Sequence, residues 1–170
     1  STSAQPGLFD LWSAALVVEP TNPSDLREVE GVRFRAQHPL AAGFGGAVPT
    51  TFNVPSALQS TASVRLIGTL SYAFNAPQGQ PVATLELGAQ TVPLRAGVEL
   101  SERAIDRPSL KGLVQHQKAA VALDFEETTP EGEDYIAHLY EATIALSAPG
   151  SLQSITLTPS NPNVLIELYG

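Results

Sequence analysis

From Ala62 to Phe74 the chain alternates: Val64, Leu66, Leu70, Tyr72 and Phe74 fall on one side, and Ser63, Arg65, Thr69 and Ser71 on the other. A period of two places residues on opposite faces only in an extended backbone, so this run reads as a strand with one face on a core. Gly68 interrupts the apolar face. A glycine inside a long strand marks a bulge or bend, at which this strand is expected to cross from one sheet to another.

The same rule recurs downstream. Ala83, Leu85 and Leu87 share a face in Val82 to Leu87, and Gly88-Ala89-Gln90 reads as a tight hairpin into Thr91 to Arg95. Ala119, Val121, Leu123 and Phe125 alternate with Ala120, Ala122, Asp124 and Glu126, and Ile136, Tyr140, Ile144 and Leu146 alternate in the run from Tyr135. Leu152 to Thr158 and Val164 to Tyr169 follow, parted by Pro159-Ser160-Asn161-Pro162-Asn163, a dense turn signal. Shorter candidates upstream are Ala14 to Val18, Val32 to Ala36 and Thr50 to Val54, the last preceded by a glycine-rich loop from Ala41 to Pro49. Helix is confined to two short places, one turn over Ser24 to Glu28 and a better-capped segment over Ser109 to His116. About ten short strands and almost no helix predict an all-β chain, an antiparallel jelly-roll β-sandwich with one or two short helices. The 170 residues carry no linker and no repeat, so one domain is expected over 1–170, with 1–30 as an N-terminal extension packed on it.

Composition narrows the chemistry. With no cysteine there is no disulfide, thiolate metal site or cysteine nucleophile. Nine Lys plus Arg stand against 17 Asp plus Glu, a net charge of −8, and the cations are scattered. Nucleic acid and anionic membrane surfaces are therefore unfavourable partners. No apolar run approaches the ~20 residues of a spanning helix, so no membrane insertion is expected. The chain has no methionine and begins Ser1-Thr2-Ser3-Ala4, which points to a processed or excised chain. Few lysines and turns rich in Ser, Thr, Pro and Gly lean toward an exported protein.

The densest polar stretch runs from Leu94 to Pro108 and continues, after the short helix, to His116. Arg95, Glu102, Asp106 and His116 are the candidate ligand contacts. Carboxylates accept from pairs of sugar hydroxyls, while Arg and His donate to ring and hydroxyl oxygens. The plainer reading of the stretch is a crossover loop braced by its own ion pairs. Glu126, Glu127, Glu131, Glu133 and Asp134 form an acidic hairpin loop that could hold a structural Ca²⁺, although its spacing is not that of an EF-hand; a solvated turn is the alternative. No cofactor is called for. Trp12 with Phe9, and Tyr72, Tyr135, Tyr140 and Tyr169, are the aromatic residues available for stacking on sugar rings, with Trp12 best placed to be exposed. His138 shares a strand face with Ile136 and Tyr140 and reads as a satisfied core histidine. Serine-hydrolase, phosphate-loop and zinc-protease motifs are absent.

The succession Leu94-Arg95-Ala96-Gly97, Glu102, Asp106-Arg107-Pro108, a short helix, His116 and a further strand resembles a β-sandwich module that accompanies large bacterial envelope proteins. The resemblance spans about residues 30 to 170. It implies a galactose-binding-like fold, as in carbohydrate-binding modules. Where such a loop could carry an aromatic side chain, Arg103 stands instead. The expectation is a noncatalytic, extracytoplasmic module that binds carbohydrate or positions a neighbouring envelope domain. A structural or assembly subunit of a surface layer, pilus or capsid is the second reading. A glycosidase, the third, requires two carboxylates facing one cleft.

Overall fold

A computed structural model describes residues 26–29, 32–35, 40–43, 49–54, 62–148 and 152–169. Within them the chain is all-β. Eleven strands follow in order: β1 Leu26–Val29, β2 Val32–Arg35, β3 Leu40–Gly43, β4 Thr50–Asn53, β5 Ser63–Ser71, β6 Pro81–Leu87, β7 Gln90–Arg95, β8 Val121–Thr128, β9 Asp134–Ala145, β10 Ser154–Pro159 and β11 Leu165–Leu168. They form a hairpin, β1-β2, a four-stranded sheet ordered β4-β10-β6-β7, and a five-stranded sheet ordered β3-β11-β5-β9-β8. Every pairing between these strands is antiparallel.

The two larger sheets share one core. Leu66 and Leu70 of β5, Tyr140 and Ile144 of β9 and Ile166 and Leu168 of β11 meet Ala83, Leu85 and Leu87 of β6, Leu94 of β7 and Leu157 of β10 in a single buried cluster. Alternation assigned Leu66, Leu70, Ala83, Leu85, Leu87, Tyr140 and Ile144 to inner faces; Tyr72 and Ile136, placed on the same faces by that pattern, are exposed, because they lie at strand ends beyond the sheet-to-sheet contact. Val82 is buried beside Ala83 because the β6–β7 register shifts between Pro81 and Ala83. The extra residue of a bulge leaves a carbonyl unpaired in the ladder. Here the Val82 carbonyl accepts from the N–H groups of Ser160 (2.9 Å) and Asn161 (3.3 Å) instead. The β6–β7 turn is Gly88-Ala89 as expected, with Gly88 at φ 62.

Four local expectations are corrected. Gly68 makes no bulge: β5 pairs β9 over Ser63–Gly68 and β11 over Gly68–Ser71 without interruption. A Cβ at Gly68 would lie 2.7 Å from the Glu167 carbonyl oxygen and 2.8 Å from Leu168 Cδ2, so the glycine serves close approach of β11. Leu26–Glu28 belongs to β1 rather than to a helical turn, because β2 supplies its main-chain bonds in a hairpin. Leu40–Gly43, which runs into the glycine-rich loop expected from Ala41, is β3, since pairing with β11 needs no large side chains. Over Ser109–His116 the chain makes a single 3-10 turn, Pro108–Leu110, and Gly112 then takes φ 84, which an α-helix cannot continue. The candidate strand Ala14 to Val18, Trp12, Phe9 and most of the 1–30 extension lie outside the described residues.

Candidate functional site

The site grows from a gap in the five-stranded sheet. Beyond Gly68 β5 no longer pairs β9, and the segment Ser101–Arg103 is wedged between them. The Leu70 N–H donates to the Ser101 carbonyl (2.9 Å), the Arg103 N–H to the Leu70 carbonyl (2.7 Å) and the His138 N–H to the Arg103 carbonyl (3.1 Å). The Tyr140 hydroxyl donates to the Glu102 carbonyl at 2.9 Å. Main-chain bonds on both sides thus fix a loop residue as firmly as a strand residue.

Beside this wedge lies a cleft of about 730 Å³, lined by Ser71, Tyr72 and Phe74 after β5, Glu102, Arg103, Ala104, Arg107 and Leu110 of the loop, Tyr135 of β9, and Leu165, Glu167 and Tyr169 of the last strand and its end. Its volume suits a small ligand. Tyr72 is 55% exposed and is the described non-glycine residue with positive φ, at 64°. Left-handed backbone at a bulky residue costs about 1–2 kcal/mol, which the surrounding structure must hold in place.

The Glu102 side chain is 3% exposed. Its Oε2 accepts from the Ala73 N–H (2.7 Å) and its Oε1 from the Ala104 N–H (3.4 Å). Burial outweighs these donors and pushes its carboxyl up to about 7. Arg103 stacks 4.8 Å over the Phe125 ring, forms an ion pair with Glu127, and donates through Nη1 to the Tyr169 hydroxyl at 2.8 Å. Burial disfavours its charge, yet the Glu127 bond together with the charges of Glu127, Glu167 and the Tyr169 phenol outweighs that and raises its pKa. Tyr135 also donates to Glu127; burial and that bond push the phenol up to about 12. Arg107 Nε donates to Glu133 at 2.6 Å, and Glu133 accepts from the Ser109 N–H and hydroxyl, both at 2.7 Å. Glu167 accepts from the Ser71 hydroxyl at 3.1 Å.

Of the four residues singled out from sequence, Glu102 lines the cleft and Arg95, Asp106 and His116 do not. Arg95 is folded back on Glu99, four residues on, which also accepts from the Arg95 N–H at 2.8 Å. Asp106 bonds Lys118 and, at 3.0 Å, His138 Nε2. Burial works to raise its pKa, but the Lys118 cation and the bond from His138 hold it below the ordinary carboxylate range. His116 is buried with both ring nitrogens engaged: Nδ1 donates to the Ala76 carbonyl (2.8 Å) and Nε2 accepts from the Glu102 N–H (3.1 Å). That leaves it no ring nitrogen for a sugar. Burial lowers its pKa, in keeping with a neutral ring. His138, 2% exposed, sits between Asp124 (2.6 Å) and Asp106 (3.0 Å).

The loop is therefore braced by the ion pairs Arg103–Glu127 and Arg107–Glu133 and by the Asp106–His138 hydrogen bond, and the arginine pairs build one wall of the cleft. In the acidic hairpin, Glu127 and Glu133 serve the arginines and Asp134 accepts from the Thr128 hydroxyl at 2.7 Å. Among the described residues no three His, Asp or Glu side chains group as a metal site. No described helix is long and apolar enough to cross a membrane. Of the tyrosines, Tyr72, Tyr135 and Tyr169 line the cleft, whereas Tyr140 is buried in the core. Glu167 and Phe74 carried no sequence signal as site residues beyond their places in strand patterns. Compared with known protein families, curated proteins and solved structures, the chain matches none.

Proposed function

We propose that this chain is a noncatalytic carbohydrate-binding module of jelly-roll, galactose-binding-like type, acting outside the cytoplasm, with the cleft beside the Ser101–Arg103 wedge as its ligand site. The strand order supports the topology. Strands β3 to β6 alternate between the sheets, as do β9 to β11, and β3-β11-β5-β9 and β4-β10-β6-β7 are the two four-stranded orders of a jelly roll, with β8 added at one edge.

The observation that carries the binding reading is the make-up of the cleft. Aromatic side chains of Tyr72, Phe74 and Tyr135 stand with Glu102, Arg107 and Glu167 around one opening. A pyranose presents an apolar face for stacking and hydroxyl edges for hydrogen bonds, and such a wall meets both. Two carboxylates, Glu102 and Glu167, line the cleft, which is the feature a glycosidase requires. Glu102, however, has both oxygens on main-chain N–H groups, so neither is directed at a leaving group. Binding without turnover is the better reading.

Titration calorimetry with hexose oligomers and cell-wall glycans tests it. Saturable binding without release of reducing ends is expected, and Tyr72→Ala weakens it about tenfold, the ~1.4 kcal/mol of one lost stacking contact. Silence across both glycan sets overturns the reading, and a concentration-dependent oligomer in the same samples would favour the assembly subunit.

A further inference from the structure

The cleft wall is not electrically neutral. Arg103 and Arg107 bring positive charge to it, but each is paired with a glutamate outside the lining, Arg103 with Glu127 and Arg107 with Glu133. The guanidinium of Arg103 is further committed to the Tyr169 hydroxyl and the Phe125 ring. Pairwise cancellation leaves the two lining carboxylates, Glu102 and Glu167. Glu102 is sealed behind its main-chain donors. Glu167 is half-buried on the wall and accepts from the neutral Ser71 hydroxyl; it interacts with Arg103 through space, but no Lys or Arg among the described residues approaches it within ion-pair distance. The same cleft is lined by Tyr72, Phe74, Tyr135 and Tyr169. A carboxylate among aromatic faces is the arrangement that favours an organic cation, through charge and through the ring quadrupoles. The net charge of −8 adds a field in the same sense and repels anionic glycans.

We infer that the cleft selects a sugar bearing a free amine, its ammonium group received by Glu167 and its ring laid against Tyr72. This rests on the carbohydrate-binding reading above and assigns the charge class of the ligand.

The test is titration of the full chain, in mildly acidic buffer of low salt, with three oligosaccharides of equal length: one of glucosamine, one of N-acetylglucosamine and one of a hexuronic acid. The glucosamine oligomer is expected to bind at least tenfold more tightly than the N-acetylated one, and the uronate most weakly. Raising the salt to about 0.5 M shrinks the preference, because a half-exposed charge pair is screened. Glu167→Gln, which keeps a partner for Ser71, brings the two hexosamine oligomers within about twofold of each other, chiefly by weakening the glucosamine oligomer. Equal or tighter binding of the N-acetylated or uronate oligomer by the wild-type chain overturns the amine assignment and leaves the carbohydrate reading standing. So does a preference that survives Glu167→Gln. Should none of the three bind, the amine assignment falls, and the hexose and cell-wall glycan titrations above decide the carbohydrate reading. The salt and ligand series on the unmodified chain decide the matter even if the variant fails to fold.

Discussion

Two buried histidines flank the same wedge and are held in opposite ways. His116 joins main chain to main chain, its ring bridging the Ala76 carbonyl and the Glu102 N–H. His138 joins side chain to side chain, its ring set between Asp106 and Asp124. The partners differ in what they can do without the ring. A buried peptide group cannot turn away, whereas Asp106 and Asp124, 45% and 62% exposed, can rotate into water. Burial alone therefore does not rank the two residues; the freedom of their partners does.

The sharpest way to break that comparison is to delete each ring. His116→Ala strands a carbonyl and an N–H inside the protein and opens a cavity, for an expected loss of about 4 kcal/mol. Urea unfolding measures it. A loss below ~1 kcal/mol would mean that water or a shift of the Ala73–Ala76 turn satisfies both groups. A sugar-contact role would instead predict weakened binding with the fold intact.

Glu102 shares its N–H with His116 and gives the next largest effect, through pH. Its carboxyl titrates at about 7 when folded, against an ordinary 4.5. Between those values the folded protein holds the proton and the unfolded chain does not, so this group favours folding in acid, and its contribution is lost as pH rises through 7. At ~1.4 kcal/mol per unit the loss amounts to about 3 kcal/mol. His116 acts in the other direction: its pKa is lowered on folding, so protonation of the unfolded chain below about 6.5 favours unfolding. The two slopes oppose each other in the wild-type protein. Glu102→Gln removes one of them, so the stability of the variant rises steadily from pH 5 to 7 while that of the wild type stays flatter. Parallel curves would show that Glu102 is not buried as described.

His138→Ala is expected to cost less, about 2 kcal/mol, since both freed carboxylates reach solvent and Lys118 still bonds Asp106. What distinguishes it from His116→Ala is salt. Asp106 and Asp124 repel each other once the ring is gone, so about 0.5 M salt recovers part of the loss in this variant and none in the other. Equal salt response in both would erase the distinction.

These contrasts mark how far the sequence could be read. Alternation found the inner faces of β5, β6 and β9 over their central residues, because period two is a local property that the core only has to accept. It also found the Gly88-Ala89 turn, whose conformation is set within four residues. The wedge was hidden, since the bonds of Ser101–Arg103 come from Leu70 and His138, more than 30 residues away in either direction. Without it nothing could say that Glu102 reaches the cleft while Asp106, four residues on, turns to His138. The helix expected over Ser109–His116 failed for a related reason: Glu133, from β8–β9, takes the Ser109 N–H and hydroxyl that a local cap would have used.

Tyr72 completes the comparison from the other side. Both histidines have every ring nitrogen satisfied from within the protein, so neither has anything to offer a ligand. Tyr72 is instead exposed and sits on left-handed backbone, with the turn that follows anchored by the Ala73 N–H on Glu102. A ring 55% exposed at a conformational cost, next to a carboxylate that secures the turn beneath it, is the natural place to test the proposed glycan contact. Tyr72→Asn tests this with the smallest expected change in stability. Asparagine tolerates positive φ, and the strain it relieves offsets the contact area it loses, leaving unfolding within about 1 kcal/mol of the wild type. Glycan affinity should fall about tenfold in the same variant. A large loss of stability would make the ring a lid on the core, and unchanged affinity would take Tyr72 out of the site.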